Sequence, residues 1–228
     1  MAVNIHSIHL GFDQGYILQG EGVILIDGGA PGKLDAFRQA IDGLSIDPAE
    51  VRLIAVTHGH WDHIGSARDL KELTGAKIAM HEQDKDLLEQ PLKPQPGGPP
   101  GVTTWGRILI WMVGMYTRSL NIPATEVDVV LDGEGLALDE YGIPGKVIHT
   151  PGHSPGSVSV LLETGEAFVG DLAMSRLLLR LSPGLPIFAE DMEKVKQSCR
   201  LLLEMGAKTI YPAHGKPFAA DILRTALK

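Results

Sequence analysis

The stretch Val51-Arg52-Leu53-Ile54-Ala55-Val56-Thr57-His58-Gly59-His60-Trp61-Asp62-His63 decides the fold. Its first half is a nearly continuous apolar run, the pattern of a strand buried on both faces in an α/β protein. Its second half sets three imidazoles and a carboxylate just past that strand. In extended backbone, side chains at i and i+2 point the same way, so His58 and His60 can face one ion together. Gly59 between them lets the loop turn tightly. If a helix begins near Asp62, then Asp62 and His63 leave its first turn and reach a second ion nearby. Neutral imidazole and carboxylate are the donors that a borderline divalent cation such as zinc prefers.

Working outward, Ile5–Phe12, Tyr16–Gln19 and Val23–Asp27 read as short strands separated by Asp13–Gly15 and Gly20–Gly22, a meander. Leu34, Phe37, Ile41 and Leu44 mark one face of a helix starting near Pro31. Downstream, Ile64, Ala67 and Leu70 predict a helix that Gly75 stops. Lys77–His81 predicts a strand and Glu82–Glu89 a short polar helix. Later strands are expected at Val127–Leu131, Lys146–His149, Ser157–Leu162, Ala167–Val169 and Ile210–Tyr211. Met192, Val195, Cys199 and Leu202 give a helical stripe that ends near Gly206. Strands with helices in both halves predict two packed sheets with helices outside.

Three further strand ends carry His or Asp in small-residue turns. They are Thr150-Pro151-Gly152-His153, Val169-Gly170-Asp171 and Tyr211-Pro212-Ala213-His214-Gly215. Singly, each reads as a turn or cap residue. Together, and all after the first cluster, they read as the remaining ligands.

These motifs, HxHxDH, Gly-His, Gly-Asp and Pro-x-His-Gly in that order, resemble those of the metallo-β-lactamase superfamily. The likeness runs from about Ile17 to Phe218. It implies one domain with an αββα four-layer sandwich and two divalent metal ions, zinc first, with iron or manganese as alternatives. It also implies that His58, His60 and His153 bind one ion and that Asp62, His63 and His214 bind the other, with Asp171 bridging them. Asp27 resembles the family's acidic residue beneath the metal loop, although it could simply start the turn at Gly28-Gly29. In the implied reaction a metal-bridging hydroxide attacks an ester, thioester or lactone, with phosphodiesters as a further option. Asp62 is the catalytic candidate, orienting the nucleophile and relaying its proton.

Within the superfamily, Asp171 speaks against a true β-lactamase, which usually lacks that bridging acid. Met174 stands where quorum-signal lactonases carry a tyrosine. Two rivals stay open: a mononuclear iron enzyme of the persulfide dioxygenase type, and a metal-containing binding or regulatory protein. His149 reads as structural rather than ligating, and His81, His6 and His9 as plain structural histidines. Cys199 reads as a buried inert thiol.

Bulk composition narrows the partners. A net charge of −8 opposes a broad electrostatic grip on nucleic acid. No apolar run is long enough for a bilayer, and residues 1–13 lack the features of a secretory signal, so a cytoplasmic protein is expected. The segment from Pro91 to Pro100 holds five prolines and two glycines and reads as an extended tether. It leads into an apolar insert at 102–119 that includes Trp105, Ile108, Trp111, Met112 and Met115. That insert can serve as a lid for a small-molecule substrate with an apolar part, as a homodimer contact, or as an extra packing helix.

Overall fold

The structure is a computed structural model and describes residues 2–11, 13–90, 120–175 and 182–227. The tether at 91–100 and the insert at 102–119, with Trp105 and Trp111, lie outside the described residues.

Two six-stranded sheets pack face to face. The first contains β1 (Asn4–His9), β2 (Gln14–Gln19), β3 (Val23–Ile26), β4 (Val51–Ala55), β5 (Lys77–His81) and β6 (Val129–Leu131), in that spatial order. The β1–β2–β3 meander is antiparallel, and β3 to β6 run parallel. The second contains β7 (Leu136–Ala137), β8 (Gly145–His149), β9 (Val158–Leu162), β10 (Glu166–Gly170), β11 (Thr209–Pro212) and β12 (Phe218–Ala219), again in sequential order. Only β10 and β11 pair in parallel there. Among the described residues six α-helices complete the fold: α1 (Leu34–Gly43), α2 (Trp61–Ile64), α3 (Ala67–Thr74), α4 (Glu82–Glu89), α5 (Met192–Glu204) and α6 (Asp221–Ala226).

Strand alternation sorts the core into three apolar layers. Ile24, Ile26, Leu53 and Ala55 meet Val147, Val160 and Phe168 between the sheets. Their neighbours Leu25 and Ile54 turn outward to Phe37 and Ile41 of α1 and Leu70 of α3. On the opposite face, Val169 and Ile210 pack on Val195, Cys199 and Leu202 of α5. The architecture is therefore an αββα sandwich, as the strand and helix pattern predicts.

One expected helix is two. The continuous helix through Ile64, Ala67 and Leu70 breaks at Gly65-Ser66 because residues 30–33 lie against it. A Cβ on Gly65 would sit 2.3 Å from the Pro31 nitrogen. The Ser66 hydroxyl donates to the Ala30 carbonyl at 2.7 Å and accepts from the Lys33 amide at 2.9 Å. The break leaves α2 as one isolated turn capped by His60, which places Asp62 and His63 in its first turn as the sequence suggests.

After residue 119 the chain returns to the end of α4. The Thr125 amide donates to the Leu88 carbonyl at 3.0 Å and the Val127 amide to Glu89 Oε1 at 3.1 Å. The chain thus leaves for the insert and comes back at the same place.

Candidate metal centre

The ends of β3, β4, β10 and β11, and the loop after β8, converge on one edge of the sandwich. They bring together all seven residues singled out above. Three groups of side-chain donor atoms each lie within 4.8 Å: His58, His60 and His153; His58, His63 and Asp171; and Asp62, His63 and His214. Asp171 lies between the clusters. Its Oδ2 is 3.4 Å from His153 Nε2, and its Oδ1 is 3.2 Å from His214 Nε2 and 3.6 Å from His63 Nε2.

The donor set suits a cation. His60 Nδ1 is 2.9 Å from His58 Nε2 and 3.0 Å from His153 Nε2. One proton cannot satisfy three converging ring nitrogens, whereas one tetrahedral ion can. His63 Nε2 is buried without a hydrogen-bond partner among the described residues. A buried polar atom left this way is costly unless something such as a metal ion engages it.

Three of the rings are held from behind. Asp27 accepts from His63 Nδ1 at 2.9 Å and from the Thr57 amide and hydroxyl at 2.8 and 2.9 Å. Because the Thr57 hydroxyl donates to Asp27, its lone pair is left for His58 Nδ1, 3.1 Å away. His153 Nδ1 donates to the Phe188 carbonyl at 3.1 Å. In His58 and His153 the outer nitrogen carries the proton, so Nε2 faces the cluster as a lone pair; His63 keeps its outer proton on Asp27, and its Nε2 becomes a lone pair when a cation displaces the second proton. Asp27 achieves this from a left-handed backbone, φ 62°, a strain typical of functional turns. Its supporting role goes beyond starting the turn at Gly28-Gly29.

Glycine matters at two approaches. Gly170 has φ +51°, and a Cβ there would meet the Thr57 hydroxyl at 2.5 Å, so only glycine lets Asp171 come this close to the first loop. Gly59 is needed for packing rather than for a tight turn, since its Cβ would lie 2.3 Å from a Leu87 methyl on α4.

The charges divide the cluster. Burial, reinforced by neighbouring imidazoles, keeps His58 well below its usual pKa, and burial likewise lowers His60. Burial takes His153 to about 3 against the pull of Asp171. His63 and His214 are buried too, but Asp27 raises His63 to about 10 and Asp171 raises His214 to about 9. Burial acts upward on Asp171, yet His214 and His153 hold it far below the carboxylate range. The first trio therefore offers neutral lone pairs at neutral pH, while the second holds positive charge among carboxylates.

Sequence reasoning missed Asp84, which lies in the helix read only as polar. It is buried, and its carboxylate accepts from the Gly59 amide at 3.0 Å, the Ser154 hydroxyl at 2.6 Å and the Gly156 amide at 2.8 Å. It thereby ties the His58–His60 loop to the His153 loop. His81, Asp84 and Leu88 are all buried, and their i, i+3, i+7 spacing was the signal available. His81 caps α4, accepting from the Gln83 amide at 3.2 Å, and stacks on His149 with ring centroids 3.9 Å apart. His149 Nε2 donates to the Pro155 carbonyl, as befits a structural histidine. Cys199 is buried, and burial pushes its thiol up to about 12.

An αββα sandwich with a buried His/Asp cluster at one edge defines a class, the metallo-hydrolase-like folds. Residues 14–214 match the model of the metallo-beta-lactamase superfamily, and the chain belongs to that superfamily. An uncharacterized protein of Mycobacterium tuberculosis is 32% identical over 71% of the chain, which spans 66% of that protein's length. The hydroxyacylglutathione hydrolase GloC of Haemophilus influenzae is 31% identical over 65% of the chain and 59% of its own length. Among solved structures, the subclass B3 metallo-beta-lactamase BJP-1 of Bradyrhizobium japonicum superposes with a TM-score of 0.63 at 26% identity, covering 93% of this chain and 75% of that one. No described helix is long and apolar enough to cross a membrane.

Proposed function

We propose that the protein is a binuclear metal-dependent hydrolase acting on an ester, thioester or lactone, with zinc as the preferred ion. On this reading His58, His60 and His153 hold one ion, Asp62, His63 and His214 the other, and Asp171 both. The observation that carries it is the position of Asp171, which turns one oxygen toward His153 and the other toward His63 and His214. The relative named as a hydroxyacylglutathione hydrolase lends weight to acyl chemistry.

When bound, two divalent cations would polarise the acyl oxygen and lower the pKa of attacking water toward ~7. The protein's own groups supply the rest. Asp27, Thr57 and the Phe188 carbonyl fix the rings, so that little reorganisation is left for the moment of reaction. Asp62 is the most solvent-accessible carboxylate of the cluster, with 15% of its side chain exposed and Oδ2 3.6 Å from His214 Nε2. On this reading it accepts the proton of the attacking water and passes it to the leaving group. The substrate is a small molecule, and an apolar part would suit the greasy sequence of the 102–119 insert.

The test is metal analysis together with a panel of p-nitrophenyl esters, an S-acyl glutathione, an acyl lactone and a phosphodiester, each with and without chelator. Two equivalents of metal and chelator-reversible turnover of a carbonyl substrate are expected. One iron per chain with oxygen uptake on a persulfide would replace this reading with an oxygenase. Metal without turnover on any substrate would favour a binding or regulatory role.

A further inference from the structure

The turn before β2 carries a carboxylate that the proposed chemistry leaves unused. Asp13 is only 2% exposed, and its Oδ2 has no hydrogen-bond partner among the described residues. Its neighbour is strapped to both sides of His214: the Gln14 amide donates to the Ala213 carbonyl at 2.8 Å, and Gln14 Nε2 donates to the Gly215 carbonyl at 2.6 Å. The charged side chains that act on Asp13 are His63, Asp62 and His214, the same three that make up the second donor group. Burial dominates and raises its pKa to about 7, with Asp62 adding to the rise and the two histidines opposing it. A carboxylate oxygen buried without a partner is unfavourable. A cation held by Asp62, His63 and His214 would relieve that cost and favour the ionised form.

We propose that Asp13 forms an acidic wall on the second-ion side of the cleft and selects against anionic ligands there. The inference rests on the binuclear reading above and narrows its substrate class. Two divalent cations outweigh Asp62 and Asp171 by two charges, a field that alone would draw in phosphates and carboxylates. Asp13 and Asp27 together cancel that surplus. The group placed beside the second ion is then uncharged or cationic. Neutral esters and lactones, or esters of amino alcohols, fit this wall; phosphodiesters and carboxylate-bearing lactams do not.

The experiment uses the cobalt-loaded protein, whose visible spectrum reports on ligands at the metals. The unsubstituted protein and Asp13→Asn are titrated with inorganic phosphate and, separately, with neutral imidazole. Removing a negative charge near the ion should tighten phosphate binding by at least about tenfold and leave imidazole binding unchanged. Asp13→Ser carries the same expectation and serves if the amide does not fold. Equal phosphate affinity in the variants, or equal shifts for both ligands, would overturn the acidic wall alone. Failure of the unsubstituted protein to take up cobalt would overturn the binuclear reading and the wall with it.

Discussion

Asp27, Asp84 and Asp171 have the same functional group and do three different jobs, which substitution can separate. Asp84 accepts three hydrogen bonds from the two loops that carry His58, His60 and His153. An amide at that position must turn its NH2 toward one of those donors. Asp84→Asn should therefore weaken binding of the first ion by roughly 10–100-fold, in the range for groups that orient metal ligands, and spare the second; titration against a competing chelator reads both constants. His58→Ala and His60→Ala should likewise empty the first position, and His63→Ala the second. Asp171→Ala should weaken both, and a variant that kept two tightly held ions would disprove the bridging assignment. His149→Ala should retain both metals, because its ring contacts His81 and Pro155.

At the scale of elements, α1 shows what a short amphipathic helix contributes. Phe37 is fully buried against the outer face of the first sheet. Phe37→Ala should cost about 3–5 kcal/mol through lost burial and the cavity left behind, read as a lower denaturant midpoint with metal content per folded chain unchanged. The elements legible from the sequence are those whose cause is local. The strand at Lys77–His81 and the helix at Glu82–Glu89 have the bounds that alternation and polarity predict. The break between α2 and α3 was not legible, because its cause is the loop at 30–33, far along the chain from Gly65. The two-residue strands β7 and β12 are defined only by their pairing with β8 and β11, and no window that short has a periodicity. At the site, density within a few residues announced His58 to His63. Asp13 carried no motif and is marked out only by burial in the folded chain, while Asp84 offered no more than its helical spacing with His81 and Leu88.

For the whole molecule, the site sets both acid and alkaline limits once metal is stripped. His153, lowered to about 3, stays neutral in the fold while the unfolded chain takes up a proton below about 6.5. His58 and His60 shift in the same direction, so stability should fall as the pH drops below that value. His63 and His214, raised to about 10 and about 9, contribute stability that is complete below about 6.5 and lost as the pH climbs through those values. The chelated protein should melt highest near pH 6.5, and Asp27→Asn should flatten the alkaline side. A melting temperature that rises steadily to pH 10 would contradict this. With ion at a hundred times its Kd, linkage adds about 2.7 kcal/mol, so chelation at neutral pH should lower Tm by roughly 5–10 °C. The strap at His214 has a consequence for biosynthesis. Gln14 reaches Gly215 across 201 positions of chain, and Tyr16 donates to the Pro212 carbonyl across 196. A nascent chain displays His58 to His63 long before the ribosome delivers Pro212 to Gly215. If the site holds two ions as proposed, the earlier imidazoles should bind them only loosely until then, and firm retention of the pair should mark a polypeptide whose translation has passed Gly215.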